Sequence, residues 1–100
     1  MIDKLNELEQ RFEELNRQLA DPAVFANPAA YQKCAKAHRD LSVVVEKFRE
    51  YKDLLRSIEE TRSLLHAEAD PEMQKLAGEE LGMLEERAGT CQRELQLLLM

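Results

Sequence analysis

Apolar residues recur with alternating steps of three and four over three stretches of the chain. The longest stripe comprises Leu41, Val44, Phe48, Tyr51, Leu55, Ile58, Arg62 and Leu65. An average step of 3.5 residues places these positions on one side of a long helix that faces a partner helix. The two shorter stripes comprise Leu5, Leu8, Phe12, Leu15 and Leu19, and then Ala77, Leu81, Leu84, Ala88, Cys91, Leu95 and Leu98. The pattern predicts an all-α fold.

Three Asx-Pro pairs mark where helices begin: Asp21-Pro22, Asn27-Pro28 and Asp70-Pro71. An Asx side chain can cap free N–H groups, and proline suits the first helical position because its missing N–H needs no partner there. We expect helices over about 2–19, 28–66 and 71–98, with at most one helical turn in 21–26. Three glycines, which disfavour a helix, fall within the third helix but off its stripe. We still predict a helix there because the seven-position stripe outweighs them.

Short connections make neighbouring helices antiparallel. The first helix is long enough to cover the second only to about Lys47, whereas the third folds back at 67–70 and covers nearly all of it. We therefore predict three antiparallel helices in an elongated bundle with a two-helix coiled-coil arm. Four apolar residues of the arm lie off the stripes and are expected to be partly exposed: Leu54, Leu64, Leu76 and Met83. They form either a contact surface or the ordinary flanks of a coiled coil.

The composition is typical of long helices, with 34% charged and 44% hydrophobic residues, too apolar for a disordered chain. A net charge of -6 argues against nucleic acid as the main ligand. The chain lacks an apolar run suited to a membrane span or a signal peptide, which predicts a soluble, cytoplasmic protein. Seven basic residues in 31–56 are scattered around the helix and form either solvated surface or a partner-binding patch. They are Lys33, Lys36, Arg39, Lys47, Arg49, Lys52 and Arg56.

Cys34 and His38 are four residues apart and could face one metal ion, but zinc needs three or four ligands and no other Cys or His is placed to help. We predict no metal site. In an antiparallel pair joined at 67–70, Cys91 lies opposite Glu46, roughly 18 Å from Cys34 along the helix and too far for a disulfide. We expect two reduced, largely buried thiols.

Paired carboxylates occur at Glu13-Glu14, Glu59-Glu60, Glu79-Glu80 and Glu85-Glu86. A general acid needs a desolvated pocket, which a slender helical hairpin does not provide, so solvated helix faces explain these pairs. The sequence also has no phosphate-binding loop, nucleophile elbow or zincin motif. We predict no catalytic, cofactor-binding or metal-binding residues, no cofactor, and a protein that is not an enzyme.

With three helices in place, the chain resembles the N-terminal domain of the bacterial peptide chain release factor 1 family over all 100 residues. The resemblance rests on motifs in this order: 1–5 (MIDKL), 11–15 (RFEEL), the pairs Asp21-Pro22 and Asn27-Pro28, 48–52 (FREYK), 70–73 (DPEM), 79–81 (EEL) and the leucine-rich end. The type-two release factor is the close alternative, and residues 70–73 and the leucine-rich end favour type one.

The resemblance implies a factor that recognises stop codons on the ribosome through a Pro-x-Thr element and releases the peptide with a Gly-Gly-Gln loop. Neither motif occurs in this chain, since its prolines are followed two residues later by Val24, Ala30 and Met73. No catalytic or codon-reading residue is therefore carried over. In the family this domain lies near the ribosomal stalk base, meets the GTPase release factor and helps the glutamine methyltransferase to hold its substrate.

The leading hypothesis is a non-catalytic docking domain of a class I translation termination factor, with residues 1–100 as an N-terminal fragment because the apolar end 95–100 lacks a covering segment. One alternative is a tRNA-gripping helical arm of a synthetase-like protein, which would need a basic ridge. Another is a free-standing coiled-coil adaptor that self-associates through its arm. The resemblance suggests protein partners and the ribosome, and no direct nucleic-acid site is predicted in this chain.

Overall fold

Each Asx-Pro pair begins a helix in the computed structural model, which describes residues 1–100. In each pair the Asx side-chain oxygen accepts a hydrogen bond from a backbone N–H in the first helical turn. The pairs are Asp21 with Ala23 (2.9 Å), Asn27 with Ala30 (3.2 Å) and Asp70 with Glu72 (3.1 Å). These bonds satisfy donors that the helix itself leaves unpaired. The predicted capping chemistry is confirmed at all three places.

The structure is all-α and contains no strand. Its four helices are α1 (Ile2–Leu19), α2 (Pro22–Phe25), α3 (Pro28–Ala67) and α4 (Pro71–Leu98). The bounds of the three long helices lie within one residue of the expected ones. The helix count is four instead of three because the single turn expected in 21–26 is itself helical, with Asp21 as its cap.

The chain divides into two units, Met1–Glu46 and Lys47–Met100, with the boundary inside α3. In the first unit, α1 runs antiparallel to the first part of α3. The Cys34 thiol donates to the Gln18 side chain (3.3 Å), and one α3 turn later His38 contacts Asn16, which lies earlier in α1 (2.6 Å). The buried apolar side chains of this unit are Leu5, Phe12, Leu15, Val44 and Val45.

The second unit is an antiparallel hairpin of α3 and α4. The Cys91 thiol donates to the Lys47 backbone carbonyl (3.5 Å), and Arg62 lies 3.3 Å from Glu85. The register therefore differs by one residue from the predicted pairing of Cys91 with Glu46. The buried apolar side chains of this unit are Phe48, Leu54, Ile58, Ala77, Leu84, Ala88, Cys91 and Leu95. The predicted two-helix arm is confirmed in this unit.

Candidate functional site

A groove lies on one side of the α3–α4 hairpin and has a volume of about 310 Å³. Two residues of α3 and six of α4 line it: Lys47, Glu50, Met83, Glu86, Arg87, Thr90, Cys91 and Glu94. Both helices contribute because steps of three and four keep these positions on one side of each helix. Five of these eight residues are charged and Met83 is the exposed apolar one, a combination that the sequence patterns did not predict.

An ion cluster occupies one end of the groove. The Lys47 ammonium lies 2.6 Å from the Glu94 carboxylate and 3.1 Å from that of Glu50. Hydrogen bonds from Lys47 to Glu94 and then to Glu50 raise the pKa of the lysine above its ordinary value. Lys47 therefore stays protonated and is engaged within the hairpin. It does not act as a proton-transfer group at neutral pH.

Cys91 lies beneath this cluster with only 2% of its surface exposed. Burial, followed by the charge of Glu50, raises the pKa of the thiol. A buried protonated thiol is a poor nucleophile and a poor metal ligand. Both cysteines are free, as expected, but Cys34 is half-buried and not largely buried.

Cys34 and His38 connect α3 to α1. The His38 ring stacks on Phe12 with centroids 4.4 Å apart, and its Nε2 lies 2.6 Å from the Asn16 side-chain oxygen. The Cys34 thiol contacts Gln18. The residues that suggested a metal pair from spacing alone thus have separate packing partners, and the structure holds no group of three or more His, Cys, Asp and Glu residues placed to bind a metal ion.

Three of the four carboxylate pairs are exposed: Glu59-Glu60, Glu79-Glu80 and Glu85-Glu86. The interpretation as solvated helix faces holds for these pairs. Glu13 and Glu14 are half-buried, and Glu14 makes an ion pair with Arg17 at 2.7 Å.

The exposed apolar residues of the hairpin differ from the prediction at two adjacent positions, Leu54 and Leu55. Leu64, Leu76 and Met83 are exposed as expected, whereas Leu54 is buried and Leu55 is exposed. The prediction placed Leu55 and Arg62 on the buried stripe of α3. A second stripe, one residue earlier, passes through Leu54 and Thr61 with the same spacing and shares Ile58 and Leu65. The hairpin buries Leu54 and Ile58 of this second stripe and half-buries Thr61, since a threonine is less costly to desolvate than an arginine.

A comparison with known protein families identifies the family of this chain. Residues 8–100 match the family model described as the PCRF domain. The chain belongs to the PCRF domain family. It is 47% identical over all 100 residues to Peptide chain release factor 1 of Acidobacterium capsulatum, 45% to that of Geotalea uraniireducens and 40% to that of Caldicellulosiruptor saccharolyticus. The resemblance to release factor 1 noted from the motifs is therefore confirmed.

The chain spans slightly more than a quarter of the length of these relatives, 27% to 28%. No solved structure is significantly similar to it. None of its helices combines the length and apolar character that a membrane span requires.

Proposed function

We propose that this PCRF domain is a non-catalytic docking domain of a class I translation termination factor that acts at stop codons on cytoplasmic ribosomes. The observation that carries the proposal is the match of residues 8–100 to the family model, together with 37–47% identity over the whole chain to proteins called Peptide chain release factor 1. Residues 1–100 would form the N-terminal helical domain of such a factor.

The surface of the domain supports a role in binding. Cys91 and Lys47 are the residues of the groove with shifted pKa values, and both shifts favour the protonated form. Neither the protonated thiol nor the paired ammonium can accept a proton from a reacting molecule. The chain also has neither a Gly-Gly-Gln nor a Pro-x-Thr sequence, so the proposal gives it no part in the chemistry or in codon reading.

A two-helix hairpin is well suited to docking because its backbone is already ordered before the partner arrives, which limits the entropy lost on binding. The partners proposed from the family are the stalk-base region of the ribosome, the GTPase release factor and the glutamine methyltransferase. Exposed Leu and Met side chains on the hairpin support contact with a protein.

A domain exchange tests this proposal. In Peptide chain release factor 1 of Acidobacterium capsulatum, the segment that matches this chain is either replaced by residues 1–100 or deleted. Binding to bacterial ribosomes stalled at a stop codon is then measured for the parent, the exchange variant and the deletion variant. We expect the exchange variant to bind within about threefold of the parent and the deletion variant to bind at least about tenfold more weakly.

Thermal melting of both variants provides the control for folding. An exchange variant that melts like the parent but binds no better than the deletion variant contradicts the proposal. A deletion variant that binds as tightly as the parent contradicts it as well, because docking through this domain would then contribute nothing.

A further inference from the structure

One side of α4 carries apolar residues that the hairpin does not cover. Met73, Leu76 and Met83 are separated by three and seven residues and so lie along one side of the helix. Their exposed fractions are 47%, 57% and 62%. This stripe is distinct from the buried one that contains Ala77 and Leu84, which packs against α3.

Leu64 of α3 lies on the same side of the hairpin. Glu50 lines the groove together with Met83, and Leu64 follows Glu50 by roughly four helical turns, which returns to the same helix face. Leu64 is 56% exposed. The positions between Glu50 and Leu64 on this face are Leu54, which is buried, and Ser57 and Thr61, which are half-buried. Between Glu50 and Leu64, this side of α3 therefore carries only small or apolar side chains.

The apolar residues of α4 have carboxylates beside them. Leu76 shares a surface depression with Glu72, Glu79 and one basic residue, Lys75. Met83 lines the groove together with Glu86 and Arg87. Glu72, Glu79 and Glu86 follow one another at intervals of seven residues. They therefore form a row along the helix, next to the apolar stripe and on its solvent side. In a coiled coil, charged residues at such flanking positions select the charge of the partner helix.

The negative charge of the chain is concentrated in the part of the hairpin that carries this face. Residues 59–86 contain nine acidic and two basic residues, a net charge of -7 with His66 neutral. The rest of the chain has eleven acidic and twelve basic residues, a net charge of +1. The negative charge of the molecule is therefore carried entirely by this part of the hairpin.

We propose that the face formed by Leu64, Met73, Leu76 and Met83 docks a basic amphipathic helix of a protein partner. The inference rests on the proposed docking function and names the surface and the chemistry of the occupant. A helix laid along two others reproduces the common helix-in-groove mode, with apolar anchors every three or four residues. Lysine and arginine on its flanks would meet Glu72, Glu79 and Glu86.

The same charges disfavour the other occupants. A second copy of the chain would bring an equally acidic face against this one, and juxtaposed like charges oppose such an interface. Nucleic acid and anionic membrane surfaces carry the wrong sign for a part of the hairpin whose net charge, both sides included, is -7. A basic protein helix satisfies both the apolar stripe and its carboxylate border.

Three synthetic 18-residue peptides test the proposal by titration against the isotope-labelled 100-residue chain. The first has leucines at helical spacing with lysine and arginine on the flanks, the second is a scramble of the same residues, and the third keeps the leucines but has glutamate on the flanks. We expect only the first peptide to bind, with NMR shifts centred on Leu64, Leu76 and Met83. Binding of the acidic peptide with equal affinity, shifts centred elsewhere, self-association through this face, or no binding overturns the proposal.

Matched variants separate the apolar and charged contributions. The double substitution Leu76→Ser and Met83→Ser removes exposed side chains only, and we expect at least tenfold weaker binding of the basic peptide. Phe25→Ser, at a position equally exposed in the first unit, should leave the affinity within twofold. Binding that both variants leave unchanged contradicts the proposal.

The second comparison addresses charge. Glu79→Gln with Glu86→Gln should weaken binding at least fivefold, whereas Glu59→Gln with Glu85→Gln, on the opposite side of the hairpin, should change it less than twofold. Equal losses in both pairs would show attraction to overall charge without a docking face.

The peptide titration and the domain exchange can fail independently. If the basic peptide binds as described but the domain exchange fails, the docking surface is supported and the role in termination is contradicted. If the exchange succeeds and no peptide binds, docking uses another surface.

Discussion

Leu95 and Leu97 are two residues apart on α4 and lie in opposite environments. Leu95 is fully buried, whereas Leu97 is 68% exposed. Their chemical identity makes the pair a direct probe of burial, because the two leucines differ only in which side of the helix they occupy.

We expect Leu95→Ala to lower the free energy of unfolding by about 2–5 kcal/mol, through lost apolar burial and the cavity left behind. Leu97→Ala serves as the control and should change it by less than about 0.5 kcal/mol. Urea denaturation followed by circular dichroism measures both. Equal effects of the two substitutions would contradict the assignment of the buried side of α4.

The buried thiol of Cys91 makes the stability of the hairpin depend on pH, and the direction of the effect follows from the raised pKa. Its pKa is raised by burial, so the folded chain holds the thiol proton more tightly than the unfolded chain does. The stabilisation is fully present below the ordinary thiol pKa of about 8.5 and is lost as the pH rises toward the folded value.

We therefore expect the free energy of unfolding to fall more steeply above about pH 8.5 in the parent chain than in Cys91→Ala. Cys34→Ala is the matched control and should keep the dependence of the parent. Denaturant melts at pH 7 and at pH 9.5 measure the difference. A Cys91→Ala variant with the same slope as the parent would show that the buried thiol is not its source.

Residue identity explains why the buried side of α3 was only partly predictable. Steps of three and four fit both the stripe through Leu55 and the stripe through Leu54, since both include Ile58 and Leu65. Only the neighbours Thr61 and Arg62 distinguish the two stripes, through the cost of removing arginine from water. The periodicity alone gives equal weight to both stripes, so the predicted environments of Leu54 and Leu55 were both wrong.

At the scale of the element, the caps were the most predictable feature. An Asx-Pro pair specifies both the side-chain acceptor and the backbone angle at the start of a helix, and both are local properties. The bounds of the long helices therefore follow from the sequence to within one residue. The single turn α2 lies between two such pairs, and its length is set by their spacing.

Helix α4 is continuous through its glycines. A Cβ atom added at Gly78 or Gly82 would meet nothing within 4 Å, so neither glycine is required by a close approach of another group. Both sit in a helix interior, where glycine is less favourable than alanine by about 1 kcal/mol.

We expect Gly78→Ala and Gly82→Ala each to raise the free energy of unfolding by up to about 1 kcal/mol. Gly78→Ser adds the same Cβ with a weaker helix preference and should gain about half as much. Thermal and denaturant melts provide the measurement. A loss of stability in Gly78→Ala would mean that α4 is interrupted at this glycine.

At the scale of the whole molecule, the sequence predicted the class of the fold from patterns that are repeated along the chain. It predicted that Leu64, Leu76 and Met83 are exposed but left open whether they form a contact surface, because the full extent of that face depends on how two helices are rotated relative to each other. Met73 was missed for this reason, although its spacing from Leu76 and Met83 was a usable signal. The ion cluster of Lys47, Glu50 and Glu94 likewise depends on the pairing of α3 with α4.

The uneven charge is a second property of the whole molecule. A region with a net charge of -7 and exposed Leu and Met side chains is matched to a basic protein surface and mismatched to nucleic acid. The tRNA-gripping alternative requires a basic ridge, which this part of the hairpin does not have. A docking domain for a protein partner agrees with both the composition and the fold.

We propose that this domain contributes binding and no chemistry to termination. Peptide release from ribosomes at a stop codon, measured against factor concentration for the parent, exchange and deletion forms of the Acidobacterium capsulatum factor, tests it most directly. We predict that deletion raises the half-saturating concentration at least about tenfold, leaves the saturating rate within about twofold, and is reversed by the exchange. A saturating rate that falls tenfold on deletion, with an unchanged half-saturating concentration, would contradict the claim.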